Sequence, residues 1–216
     1  MIVKHPASAA VPKLIQKRCY TKHNPFGDPK DWLHGGNYYE WHYSIARAAA
    51  PARILEIGVL YGYSAVAMIQ GAIDAGTPNP EFIGIDRCFQ DPKSNERAEA
   101  GLKMAFQKRG WSNFRIEDRE GDQVYDLGEF DLIHVDADHD SPLSTSQFVA
   151  AWAQLKPGGW CLIDDWGSAD KGDHKGYQVR NTSKVLYDLY FKGEAETMTN
   201  INSHTGQMLV RKSLGS

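Results

Sequence analysis

Cysteine is scarce in this 216-residue chain: Cys19, Cys88 and Cys161 are the complete set. Odd in number, far apart and outside any zinc-ligand spacing, they exclude a disulfide framework and a thiolate zinc site and suit reduced thiols. No run approaches the ~20 apolar residues that a membrane span requires. The stretch Ala7 to Val11 is too short for the apolar core of a secretion signal. A basic excess is missing as well, since 24 Lys and Arg stand against 27 Asp and Glu for a formal net charge of −3. Nothing in that balance would track a phosphate backbone. Repeats and low-complexity segments are absent. Neither nucleic acid nor membrane is an expected partner, and the expected location is the cytoplasm.

The length suits one compact domain with a sizeable core. Residues 1–36 are irregular, broken by Pro6, Pro12, Pro25, Pro29 and the Gly35-Gly36 pair, and read as an arm or lid anchored by Tyr20, Phe26 and Trp32. Residues 37–216 form the domain proper, which opens on an aromatic and alanine-rich helix from Asn37 to Ala50 ended by Pro51. Short apolar strands then alternate with amphipathic helices: strand 53–57, helix 63–75, strand 81–86, helix 94–109 and strand 113–118. The alternation continues with strand 131–135, helix 143–155, strand 159–164 and a helix near 175–191. Such a pattern predicts parallel βαβ units. The tail departs from it, because 195–201 and 207–211 flank the turn-forming run Asn202-Ser203-His204-Thr205-Gly206. The expected fold is therefore α/β, a doubly wound, mostly parallel seven-stranded sheet with a C-terminal antiparallel hairpin.

Three carboxylates close two successive apolar strands: Asp136 after Phe130 to Val135, and Asp164 with Asp165 after Gly159 to Ile163. Neighbouring strands of such a sheet lie ~4.8 Å apart and ligands bind beyond their carboxyl ends, so these acids can converge. Two like unit charges ~4 Å apart repel by ~4 kcal/mol at an effective dielectric near 20, so a cluster calls for protonation or a cation. All-oxygen donors favour Mg²⁺, with Ca²⁺ or Mn²⁺ as alternatives, over zinc. The opposing reading has Asp165 capping a helix, with Asp138 and Asp140 as solvated loop charges.

Ile54-Leu55-Glu56-Ile57-Gly58 leads through Val59-Leu60-Tyr61 into Gly62-Tyr63-Ser64-Ala65-Val66, a strand, a tight turn and a helix start. Gly58 and Gly62 remove side chains where backbone must approach a ligand, while helix N–H groups and the Ser64 hydroxyl can meet a carboxylate or phosphate. The spacing is Gly-x-x-x-Gly, not the Gly-x-Gly-x-x-Gly of dinucleotide folds, and such glycines can also be purely structural. Asp86 ends the second strand, where an acid can accept hydrogen bonds from both hydroxyls of a ribose. Turn and acid together point to a nucleoside-containing ligand. After the third strand, Gly121-Asp122-Gln123 stands where an adenine pocket would be completed, or where a plain loop would run.

Leu55-Glu56-Ile57-Gly58 with Gly62-Tyr63-Ser64-Ala65-Val66 resembles the S-adenosylmethionine site of class I methyltransferases. It is especially similar to the Glu-x-Gly-x-x-x-Gly-Tyr-Ser pattern of the catechol and caffeoyl-CoA O-methyltransferase group. Phe130-Asp131-Leu132-Ile133-His134-Val135-Asp136-Ala137-Asp138 and Leu155-Lys156-Pro157-Gly158-Gly159 resemble that group's fourth-strand and pre-fifth-strand motifs, so the likeness spans about residues 53–165. It implies a Rossmann-like fold with S-adenosylmethionine held by Glu56, Gly58, Gly62, Ser64, Asp86, Gly121, Asp122, Gln123 and Asp136. It further implies a divalent cation on Asp136, Asp164 and Asp165. Metal-dependent members of the group carry Asp-Asn where this chain has Asp164-Asp165, an acidic pair similar to that of sugar- and antibiotic-tailoring relatives. His139 takes the place of the catechol-type lysine. Its ordinary pKa near 6.5 suits a general base, and a surface-loop histidine is the plainer alternative. Trp166 could wall the acceptor pocket, and Tyr38, Tyr39, Trp41 and His42 could cover the cofactor or belong to the core. His134 reads as packed or cofactor-facing rather than as a base.

The function so implied is divalent-metal-dependent O-methyl transfer from S-adenosylmethionine to a hydroxylated small-molecule acceptor, a catechol, phenolic or sugar diol. One alternative is a class I N- or O-methyltransferase that uses no metal. Another is a noncatalytic nucleoside-binding scaffold, since fold alone does not establish activity. Aromatic residues in the arm, together with the terminal hairpin, suit a homodimer.

Overall fold

Short runs rich in isoleucine, leucine, valine and phenylalanine become parallel strands when both of their faces are buried. Here they are β1 (Arg53–Ile57), β2 (Glu81–Ile85), β3 (Phe114–Glu117), β4 (Phe130–Val135) and β5 (Leu155–Ile163). The hairpin strands β6 (Ala195–Ile201) and β7 (Gln207–Lys212) complete the sheet. This computed structural model describes residues 38–87, 93–137, 141–164, 166, 178–201 and 207–215. The strand order is β3-β2-β1-β4-β5-β7-β6, with β7 antiparallel to both β5 and β6. Between β1 and β4 the order reverses, and open α/β sheets bind their ligands at such a switch point. The α/β, doubly wound sheet with its antiparallel C-terminal hairpin is the one the sequence predicts.

Helices α1 (Tyr38–Ala49), α2 (Tyr63–Asp74), α3 (Ser94–Phe106), α4 (Ser141–Gln154) and α5 (Gln178–Phe191) cover the sheet. Alternation along each strand sorts side chains onto two faces. Ile54, Phe82, Leu132 and Leu162 pack with Tyr43 and Ala46 of α1 and Met68 and Ile69 of α2. Leu55, Ile83, Ile133 and Cys161 pack instead with Phe148 and Trp152 of α4 and Leu186 of α5. Each fully buried side chain of this size contributes about 1.5–3 kcal/mol. Helix α1 lies so close to α2 that a Cβ at Gly71 would overlap the Tyr43 carbonyl oxygen. That approach fixes how α1 seats on α2.

Most boundaries fall within one to three residues of expectation, and the largest difference is at β5, which begins at Leu155 rather than Gly159. Leu155 pairs with Phe130 before the register shifts, and Trp160 then pairs with Leu132, so the Pro157-Gly158 kink is absorbed within the strand. Cys161 is free and buried, and burial pushes its thiol up to about 12, which keeps it unreactive at neutral pH. Cys19, Cys88, the arm at 1–36 and the turn at 202–206 lie outside the described residues. Among the described residues no helix is long and apolar enough to cross a membrane.

Candidate active site

The carboxyl ends of β1, β2 and β4 are laced together by backbone. Gly58 N–H donates to the Ile85 carbonyl at 2.8 Å, and Asp136 N–H donates to the Ile57 carbonyl at 2.8 Å. Gly58 occupies this junction with φ +91, and a Cβ there would stand 2.6 Å from Ala137 Cα and nearer still to the Asp136 carbonyl. Leu60 follows at φ 48, a left-handed conformation that costs a side-chain-bearing residue about 1–2 kcal/mol. Asp86 offsets that cost: its Oδ2 accepts from Val59 N–H at 3.0 Å and from Leu60 N–H at 2.7 Å. Gly62, at φ +76, caps α2 without a side-chain bond. A glycine there sets no side chain over the start of the helix, where backbone N–H groups can meet an anionic ligand.

Beneath the turn lies a buried polar chain that the sequence did not reveal as a unit. Glu56 of β1 accepts from the Ser64 hydroxyl of α2 on Oε1, and His134 Nδ1 of β4 lies 2.8 Å from the same oxygen. His134 Nε2 in turn faces His42 Nε2 of α1 at 3.2 Å, with the rings edge to face. None of the four residues is more than 8% exposed. The Ser64 hydroxyl, which could meet an anion, donates here to Glu56, and His42, which could cover the cofactor or belong to the core, is buried against His134. The second carboxylate oxygen of Glu56 is buried with no hydrogen-bond partner among the described residues. A carboxylate oxygen left so is costly, and a cationic donor from a ligand would relieve it.

One step further along the sheet, Asp136 and Asp164 stand side by side, with Asp164 N–H donating to the Val135 carbonyl at 3.0 Å. Among the described residues, one ligand atom each from His134, Asp136 and Asp164 lie within 4.8 Å of one another, the histidine buried and both acids half-buried. Both nitrogens of His134 already face Glu56 and His42, so the oxygens are the better placed donors. Two half-buried carboxylates fit a hard divalent cation that keeps waters or substrate oxygens. Asp165 and His139, like Asp138 and Asp140, lie outside the described residues.

Gly121 is buried, and a Cβ there would overlap Ile57 and stand 3.0 Å from Gln147 Cγ, so packing alone demands glycine. Asp122 is half-buried and lies 3.4 Å from the Ser146 hydroxyl, while Gln123 is exposed. An ion pair between Arg87 and Glu120 ties this loop to the end of β2. Tyr39 lies near both His42 and Tyr63, and the half-buried Trp166 packs on the face of α4 and α5.

A protein family described as "Methyltransferase domain" matches residues 55–166, from the strand of Glu56 to just past the paired acids, and the chain belongs to that family. The O-methyltransferase hkm8 of Aspergillus hancockii is 28% identical over 162 residues, which are 73% of this chain and 60% of that protein. The chain thus spans about 60% of the length of this curated relative. Among solved structures, the SAH-bound methyltransferase PaMTH1 of Podospora anserina matches with a TM-score of 0.69 at 23% identity, over 94% of this chain and 89% of that one. The O-methyltransferase TomG of Streptomyces achromogenes, involved in tomaymycin synthesis and solved with SAM, matches with a TM-score of 0.64 at 19% identity, over 93% and 90%. These likenesses show a class I methyltransferase fold.

Proposed function

We propose that this chain transfers the methyl group of S-adenosylmethionine to a hydroxyl oxygen of a small molecule with the help of a divalent cation. The observation that carries this reading is the adjacency of two sites at the switch point: the Glu56 chain under the glycine turn, and the Asp136–Asp164 pair beside it. The unsatisfied, buried oxygen of Glu56 suits the ammonium of the donor, and the α2 N-terminus suits its carboxylate. Gly58 and Gly62 let the backbone approach, Ser64 steadies Glu56, Asp86 offers an oxygen to the ribose, and Gly121-Asp122-Gln123 borders the adenine. Asp136, at the end of β4, borders the donor and gives its carboxylate to the cation.

Asp136, Asp164 and Asp165 would hold the cation, Mg²⁺ first and Ca²⁺ or Mn²⁺ as alternatives. When bound, such an ion lowers the pKa of an acceptor hydroxyl and fixes its position. His139 takes the hydroxyl proton. Transfer is an in-line displacement in which the oxygen–carbon bond forms as the carbon–sulfur bond breaks, its electron pair passing to sulfur to give a neutral thioether. A second oxygen beside the reacting hydroxyl would complete the chelate, so the acceptor class is a catechol, phenolic or sugar diol.

Chelation tests this reading. With catechol as the probe acceptor and Mg²⁺ present, EDTA is expected to cut thioether formation at least a hundredfold, with full recovery on added Mg²⁺. Turnover indifferent to EDTA would install the metal-free methyltransferase in its place, and S-adenosylmethionine binding in calorimetry with no transfer to any hydroxylated acceptor would leave the nucleoside-binding scaffold. The buried chain carries its own prediction. Glu56→Gln exchanges a charge-assisted contact worth about 1.5–3 kcal/mol for a neutral one, so the donor Kd is expected to rise about ten- to a hundredfold by calorimetry. An unchanged Kd would confine Glu56 to a structural role.

A further inference from the structure

Gln207, the first residue of β7, is fully buried, and neither its amide oxygen nor its amide nitrogen has a hydrogen-bond partner among the described residues. Such a group destabilises the fold that contains it and calls for an explanation. Its neighbours show what packing alone would select. Ile201 pairs with it across β6, and Leu209 lies two residues along on the same face. Both are aliphatic members of the cluster under α1 and α2.

The register shows where the amide stands. β5 and β7 run antiparallel with Ile163 opposite Met208, so one step further Gln207 is opposite Asp164. Residues so paired have Cα atoms ~5 Å apart and side chains on one face. Met208 and Val210 pack with Ile133 and Cys161 on the other face, whereas Leu209 packs with Leu132 and Leu162. Gln207 therefore shares the face of His134, Asp136 and Asp164. Extending the registers by one residue sets Gly58, Asp136, Asp164 and Gln207 in a single row across the ends of β1, β4, β5 and β7.

We propose that Gln207 is a further ligand of the cation site, supplying its carboxamide oxygen beside Asp136 and Asp164. The inference rests on the divalent-cation reading above and deepens it. Hard cations take six or more oxygens, amide carbonyls among them. A neutral oxygen raises the ligand count without adding to the mutual repulsion of the aspartates. It also fills a direction that His134 cannot, because the ring nitrogens of His134 face Glu56 and His42. The cost of burying the amide without a protein partner is then the cost of a ligand held ready.

The test is Mn²⁺ titration of the full chain, followed by calorimetry and by the electron paramagnetic resonance signal of the free ion. It compares wild type with Gln207→Leu, Gln207→Glu and Asp136→Asn. Gln207→Leu is expected to weaken Mn²⁺ binding about ten- to a hundredfold, the size of loss typical when a metal site loses a supporting group. Its SAH affinity should stay within twofold of wild type, and its Tm should equal or exceed the wild-type value because a stranded amide is gone. Gln207→Glu, which keeps an oxygen at the same reach, should bind Mn²⁺ at least as well as wild type. If Gln207→Leu binds Mn²⁺ like wild type while Asp136→Asn does not, Gln207 is no ligand and the cation reading stands. If wild type takes up no Mn²⁺, both fall together. Where the circular dichroism of Gln207→Leu departs from wild type, Gln207→Met carries the same comparison.

Discussion

Asp136→Asn is expected to lower kcat/KM for methyl transfer by about a thousandfold or more, while the affinity for SAH stays within a few-fold. The substitution is nearly isosteric, and the backbone N–H of residue 136 still donates to the Ile57 carbonyl, so the end of β4 stays in place. What is lost is one of the two carboxylates that the structure brings together, leaving Asp164 as the other described acid of the group. Metal-supported activation of a hydroxyl supplies several kcal/mol of transition-state stabilisation. At 1.36 kcal/mol per factor of ten, a loss of ~4 kcal/mol corresponds to about three decades in rate. The measurement is thioether formation by chromatography at saturating Mg²⁺, paired with SAH calorimetry on the same protein. Wild-type turnover in Asp136→Asn would remove this acid from the chemistry. An equal loss of turnover and SAH affinity would instead assign it to the donor alone.

The sheet and the convergence of Asp136 with Asp164 were legible because they follow from period and topology. Apolar runs bounded by glycine and acid mark the parallel strands, and acids at the ends of adjacent strands meet wherever the chain folds. The glycine turn was legible for a similar reason, since Gly58 and Gly62 stand at a strand-to-helix corner that few other residues can turn. The buried chain was hidden because His42 and His134 lie 92 positions apart. Their meeting depends on the rotation of α1 about its own axis, which is set by its packing on α2 at Gly71. Neither periodicity nor motif carries that angle. Gly121 could complete an adenine pocket or sit in a plain loop, and the crowding of Ile57 and Gln147 on it is a packing fact that no motif carries. Gln207 is, in sequence, no more than the first residue of the expected strand 207–211, and only the register with β5 sets it opposite Asp164.

Gly58→Ala is expected to cost about 3 kcal/mol or more of stability and to abolish SAH binding, because the new methyl group has nowhere to go. Two separate penalties act. The first is conformational, since φ is +91 at this residue and an alanine there carries a strain of about 1 kcal/mol or more. The second is steric: the Cβ would lie 2.5 Å from the Asp136 carbonyl carbon and 2.6 Å from Ala137 Cα, with the Asp136 oxygen closer still. All three are backbone atoms, so no rotamer change relieves the overlap, and overpacking of this kind costs about 1–3 kcal/mol or more. Relief requires the end of β4 to move away from β1, which breaks the Asp136–Ile57 hydrogen bond and carries Asp136 away from the donor site. Gly76→Ala separates the two penalties, because Gly76 has φ +99 but nothing within 4 Å of an added Cβ. Urea unfolding should place Gly76→Ala about 1 kcal/mol below wild type and Gly58→Ala well below that. Equal losses in the two variants would mean that β1 and β4 are not locked at their ends.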